Sequence, residues 1–216
     1  MDFAAARRKM VASQVRTNRV TDPLVSGAME MVPREYFVPA ESRAVAYLDE
    51  DLPLGNGRHI MEPMALARLL QLADIEPEDK ALVVGAGTGY SAAVLARIAQ
   101  SVVVLENDAG LADKASKIMT ELVIPNVTVV RGDLAAGVSS KAPFDVILID
   151  GSVAEIPTQL KRQLTDGGRL VAVVRQGPVG RATLVTRVGD AFGSRADFDL
   201  ITPYLPEFAP QPKFVF

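Results

Sequence analysis

The stretch Ala81-Leu-Val-Val84-Gly85-Ala86-Gly87-Thr88-Gly89-Tyr90-Ser-Ala-Ala-Val-Leu-Ala96 decides the fold. A short Val/Leu run, three glycines at alternate positions and an Ala-rich run read as a strand, a tight turn and a crossover helix. Glycine there permits positive φ and lets the backbone come close to a ligand. The Gly-x-Gly-x-Gly spacing is not the Gly-x-Gly-x-x-Gly of dinucleotide pyrophosphate sites, and no Gly-Lys-Ser/Thr follows it, so the turn is not a P-loop.

Outward from this turn the alternation repeats. Ala81–Val84, Val102–Leu105, Val127–Val130, Val146–Ile149 and Leu170–Val174 are short Val/Ile/Leu runs, suited to strands buried on both faces of a parallel sheet. Ser91–Ala99, Gly110–Leu122 and Ile156–Leu164 are the expected crossover helices. Together they predict an α/β fold with a doubly wound, mostly parallel, Rossmann-like sheet. The tail differs: Ala182–Val188, Phe198–Thr202 and Lys213–Phe216 read as antiparallel edge strands. Before the core, residues 4–32 read as helical, broken at Thr21-Asp22-Pro23, where Pro23 opens a new helix. Residues 33–63, with four prolines and two glycines, read as irregular, and 64–73 as a short amphipathic helix. The expected organisation is one domain, 1–216, with a helical and loop extension (1–79) ahead of the core (80–216).

The strand Val102–Leu105 runs into Glu106, about 20 residues after the first glycine, where nucleotide-binding sheets hold a ribose. A carboxylate there accepts from both ribose hydroxyls. Arg131-Gly132-Asp133-Leu134 follows the next strand; Asp133 is placed to accept from an adenine amino group, or serves as a turn acid. Asp150 ends the following strand at the same sheet edge, beside the reactive end of a bound ligand, or caps the next helix. The expected ligand-binding set is Gly85, Ala86, Gly87, Gly89, Tyr90, Glu106, Asn107, Gly132, Asp133, Leu134 and Asp150.

The 216 residues are 49% hydrophobic, enough for one α/β core. With 23 basic and 26 acidic residues the net charge is -3, which argues against a general nucleic-acid binder. The basic cluster Arg7, Arg8, Lys9, Arg16 and Arg19 reads as a solvated helix face. The absence of cysteine excludes disulfides, thiolate metal sites and a cysteine nucleophile, and the single histidine, His59, excludes a multi-histidine metal site. No apolar run reaches the roughly 20 residues of a membrane span, and no signal-like stretch opens the chain; the expected location is cytoplasmic.

Several motifs resemble the protein-L-isoaspartate O-methyltransferase family of class I S-adenosylmethionine-dependent enzymes. Val32-Pro33-Arg34-Glu35-Tyr36-Phe37-Val38-Pro39 is similar to the family's Val-Pro-Arg-Glu-x-Phe-Val-Pro. Ala46-Tyr47-Leu48-Asp49, Leu52-Pro53-Leu54-Gly55, the glycine turn with its helix, Ile156-Pro157, Leu160, Gln163-Leu164 and Gly167-Gly168 also match. The resemblance implies S-adenosyl-L-methionine as cofactor and S-adenosyl-L-homocysteine as product, with contacts at Gly85, Gly87, Gly89, Glu106 and Asp133. It implies a damaged protein or peptide as partner, methylated on the carboxylate of an altered aspartyl residue. The chain departs from the pattern at two places. His59-Ile60-Met61-Glu62-Pro63 stands where the family carries Thr-Ile-Ser-Gln-Pro, and Val83 stands where it carries an acid. His59 and Met61 are therefore the catalytic candidates, and Leu54, His59, Ile60 and Glu62 the substrate-binding ones. A changed methyl acceptor and a non-catalytic cofactor-binding module are the competing readings.

Overall fold

The computed structural model describes residues 1–210; the expected strand Lys213–Phe216 lies outside the described residues. Helix α1 (Phe3–Met10) starts at Asp2, whose side chain accepts from the Ala5 N–H. It runs through a π-helical turn (Val11–Val15) and a 3-10 turn (Arg16–Asn18) to Arg19, at φ 65. Helix α2 (Pro23–Met31) opens at the expected break, with Pro23 at its start and Asp22 accepting from the Leu24 N–H.

The next segment corrects the sequence reading. Residues 33–63 are not wholly irregular: two 3-10 turns (Arg34–Tyr36, Ala40–Val45) lead into a hairpin of β1 (Leu52–Gly55) and β2 (Arg58–Ile60). Pro53 is tolerated because this ribbon has only two strands, both of them edges. Gly55, Asn56 and Gly57 all take positive φ at its tip, as the tight turn demands. Helix α3 (Pro63–Ala73) follows.

The core then runs β3 (Lys80–Val84), α4 (Tyr90–Leu95), β4 (Ser101–Glu106), α5 (Ala109–Glu121), β5 (Val127–Arg131), β6 (Phe144–Val153), α6 (Thr158–Lys161), β7 (Leu164–Gln176), β8 (Val179–Val188) and β9 (Ala191–Asp199). The strands form one sheet in the order β5-β4-β3-β6-β7-β8-β9, parallel from β5 to β7 and antiparallel beyond it. Three elements differ from expectation. Helix α4 stops at Leu95 rather than Ala99. Helix α6 is a single turn, because Leu164 already pairs with Phe144 in the sheet. The last described strand is Ala191–Asp199 rather than Phe198–Thr202, because Gly189-Asp190 makes a two-residue hairpin turn that starts it earlier.

Each central strand divides its side chains between two apolar layers. Ala81, Val83, Val102, Val104, Val146 and Leu148 join the layer that contains α2, α3 and α4. Leu82, Val84, Val103, Leu105, Ile147 and Ile149 join the opposite one. Burial on both faces explains the unbroken apolar runs. The chain leaves β3 towards β4 and β5, then crosses back to β6 on the other side of β3. This reversal opens a crevice at the carboxyl ends of β3, β4 and β6, where open α/β sheets take their ligands.

Candidate active site

At the end of β3 the Gly85 N–H still bonds to the Leu105 carbonyl, at 2.8 Å. Gly85, Gly87 and Gly89 then adopt φ of 75, 58 and 95, which turns the chain into α4. Alternation along β4 sends Glu106 to the same side as Val102 and Val104, into the crevice, where it is fully buried. One carboxylate oxygen, Oε2, accepts from the Gly87 N–H at 2.8 Å; the other, Oε1, accepts from the Asn107 and Asp108 N–H groups at 2.9 and 3.0 Å.

A residue that the sequence did not single out completes the arrangement. Arg58, on β2, donates to both oxygens of Glu106, at 2.8 and 2.9 Å, and also to the Gly85 carbonyl at 2.7 Å and Asn107 Oδ1 at 3.1 Å. It is as buried as the core, at 3% exposure. The one local signal for it was the Asn56-Gly57 pair, which places a hairpin, and hence a strand residue, at Arg58.

Apolar side chains close over the glycines. A Cβ at Gly87 meets Leu54 Cδ1 at 2.7 Å, and one at Gly85 meets the two methyls of Leu205 at 2.9 Å. Leu205 belongs to the segment after β9, which doubles back along β6: the Ser152 N–H bonds to the Pro203 carbonyl and the Leu205 N–H to the Ser152 carbonyl, at 2.9 and 3.0 Å. Beneath this strap a cavity of about 10 Å³, lined by Asp51, Arg58, His59, Met61 and Asp150 among others, has room for about one water.

Asp150 lies on the same side of β6 as Val146 and Leu148. Its Oδ2 accepts from the Ser91 hydroxyl, while Oδ1 is buried without a partner. Burial pushes its pKa up to about 6, against the Ser91 hydrogen bond and the nearby Arg58 and Arg34 guanidiniums. Asp133 is exposed at the end of β5, with Oδ1 accepting from the Ala135 N–H at 2.9 Å in a local turn. Leu134 behind it is buried, and the Gly132 N–H bonds to the Glu106 carbonyl at 3.2 Å. Tyr90 and Ala86 are buried at the head of α4.

From the His59–Pro63 stretch, His59 and Met61 line the small cavity together with Asp150. His59 is half-buried and its Nδ1 has no partner. Ile60 and Met61 are buried. Glu62 has its pKa pushed up to about 7, first by burial and then by Asp51 and Asp49. The Met61 carbonyl accepts from Nη2 of the fully buried Arg34 at 2.8 Å, and Arg34 Nε reaches the Ala46 carbonyl at 2.7 Å. The Arg34 guanidinium lies over the Tyr90 ring, 4.7 Å from its centre, and the Thr88 hydroxyl donates to the Phe37 carbonyl. Residues 32–39 thus brace the glycine turn from behind.

The family model described as protein-L-isoaspartate(D-aspartate) O-methyltransferase matches residues 6–197. The chain belongs to this family. Protein-L-isoaspartate O-methyltransferase 1 of Rhodopseudomonas palustris is 44% identical over 172 residues, which cover 80% of this chain and 70% of that one. Two solved structures share the fold, each with a TM-score of 0.80. A protein-L-isoaspartate O-methyltransferase is 24% identical, over 92% of this chain and 65% of that one. A Plasmodium falciparum structure solved with S-adenosyl-L-homocysteine is 20% identical, over 93% and 98%. Within this member of the family, Val83 is packed in the apolar layer and fully buried, so the crevice receives no acid from β3.

Proposed function

We propose that this chain transfers the methyl group of S-adenosyl-L-methionine to the carboxylate of an L-isoaspartyl residue in damaged proteins or peptides, a repair reaction. The observation that carries the reading is Glu106, buried at the end of β4 and bonded to the Gly87 N–H. The donor set fits the cofactor. Glu106 carries the two carboxylate oxygens a ribose would use, both of them held by Arg58 in this structure. The glycines leave out the side chains that close approach forbids. Asp150 Oδ1, buried and unpaired, suits a cationic ammonium and stands in for the acid absent at Val83. Asn107, Gly132, Asp133 and Leu134 flank the adenine side.

The bound cofactor supplies a methyl group activated on a sulfonium. An ionised acceptor carboxylate is itself the nucleophile, so the chain needs no general base. Its residues must align oxygen with methyl carbon and keep water out. Leu54, Met61 and Leu205 provide apolar cover. Leu54, His59, Ile60 and Glu62 form the acceptor side, with the unpartnered Nδ1 of His59 orienting the carboxylate. Met61 contributes packing where a serine hydroxyl was expected. Family membership does not favour a changed acceptor or a non-catalytic module. We take residues 1–216 as one working unit in the cytoplasm; no helix among the described residues is long and apolar enough to cross a membrane.

The test is incubation with S-adenosylmethionine carrying a labelled methyl group and an isoaspartyl peptide. Label released by mild alkali, and absent with the normal aspartyl peptide, supports a carboxyl methyl ester. Alkali-stable label, or none, rejects it.

A further inference from the structure

Glu106 is the group a ribose must reach, yet its acceptor capacity is already spent. A carboxylate has about four lone-pair sites. Five N–H contacts converge on this one: two from Arg58 and one each from Gly87, Asn107 and Asp108. The three backbone donors belong to the turn and the end of β4 and are built into the fold. Only the two from Arg58 come from a side chain, which a rotamer change can withdraw without breaking the backbone. We propose that Arg58 is a latch seated in the ribose subsite, which has to swing off Glu106 before the cofactor can bind.

The rest of the hairpin fits this role. Asn56 at its tip bonds to Asp108 Oδ2 at 2.9 Å, and Leu54 lies over Gly87, so the ribbon covers the turn from its tip to Arg58. Arg58 Nε is buried without a partner, so the closed seat leaves one donor unsatisfied, which solvent would satisfy once the side chain swings out. Leu205, on the strap from the other side, forms a second cover over Gly85. A site open only part of the time shows an apparent affinity reduced by the open fraction.

This inference rests on the reading that S-adenosylmethionine binds in this crevice. The experiment is calorimetric titration of S-adenosylhomocysteine into the full chain and into Arg58→Gln. A glutamine amide still donates one hydrogen bond to Glu106 but cannot hold both oxygens. The expected result is a dissociation constant about ten-fold lower, or more, in the variant. Equal affinity, or weaker binding by the variant, overturns the latch and leaves the methyl-transfer reading standing. No binding by either protein up to about 1 mM overturns both. If Arg58→Gln does not fold, stopped-flow tyrosine fluorescence on the native chain decides. An observed rate that levels off with ligand in excess but keeps rising with protein in excess supports opening before binding, and a rate with the same dependence under both conditions overturns it.

Discussion

Glu106, Gly87, Arg34 and Glu62 each make a separate prediction, because each does a different physical job. Glu106→Gln keeps the shape but loses the charge and one acceptor; affinity for S-adenosylhomocysteine is expected to fall about ten-fold or more in calorimetry, since hydrogen bonds to a charged group contribute about 1.5–3 kcal/mol. Gly87→Val places a β-branched residue at φ 58 against Leu54; binding is expected to be lost in the same titration while circular dichroism stays native. Arg34→Ala leaves the Ala46 and Met61 carbonyls without their buried donor. It is expected to cost about 3 kcal/mol or more in urea unfolding.

The pH dependence follows from Glu62. Its folded pKa, about 7, lies above its ordinary 4.5. The folded state therefore holds the proton longer than the unfolded chain does. No penalty exists below pH 4.5; it grows through the interval and is complete above about 7. Asp150, raised from 3.8 to about 6, acts in the same direction. Tm is expected to drop as pH rises from 5 to 7, and Glu62→Gln to flatten part of that drop in a differential scanning series.

At the scale of elements, the hairpin and the strap after β9 are the pieces that turn a generic crevice into a covered one. Leu205→Ala removes a 4% exposed side chain wedged against Gly85 and Gly151. It is expected to cost about 2–4 kcal/mol and to speed amide exchange across 203–208. The hairpin escaped the sequence reading because the four prolines and two glycines of residues 33–63 read as a succession of turns, with too short an apolar run between them to mark strands. Strand β9 was misplaced for a related reason: most of its residues are exposed, with little apolar alternation to see. Helix α6 shrank to one turn because pairing with β6 outcompeted the helical spacing of Ile156–Leu164.

For the molecule as a whole, apolar runs were enough to place β3, β4, β6 and the centre of β7, because strands buried on both faces have no polar positions to blur them; β5, half-exposed at the sheet edge, was placed by its Val-rich run alone. The glycine turn and Glu106 were legible for an equally local reason: a strand, a turn without side chains and an acid at the next strand's end can be counted along the chain. The family motifs in residues 32–39 were legible too, though not their purpose, which is Arg34 reaching carbonyls twelve and 27 residues away. The pairing of Arg58 with Glu106 joins residues 48 apart, and the cover over Gly85 comes from Leu205, on the strap after β9 that runs back along β6. No spacing rule predicts either. A buried carboxylate takes whichever donors the fold carries within about 3 Å of it, and that choice is made by packing in three dimensions rather than by order along the chain.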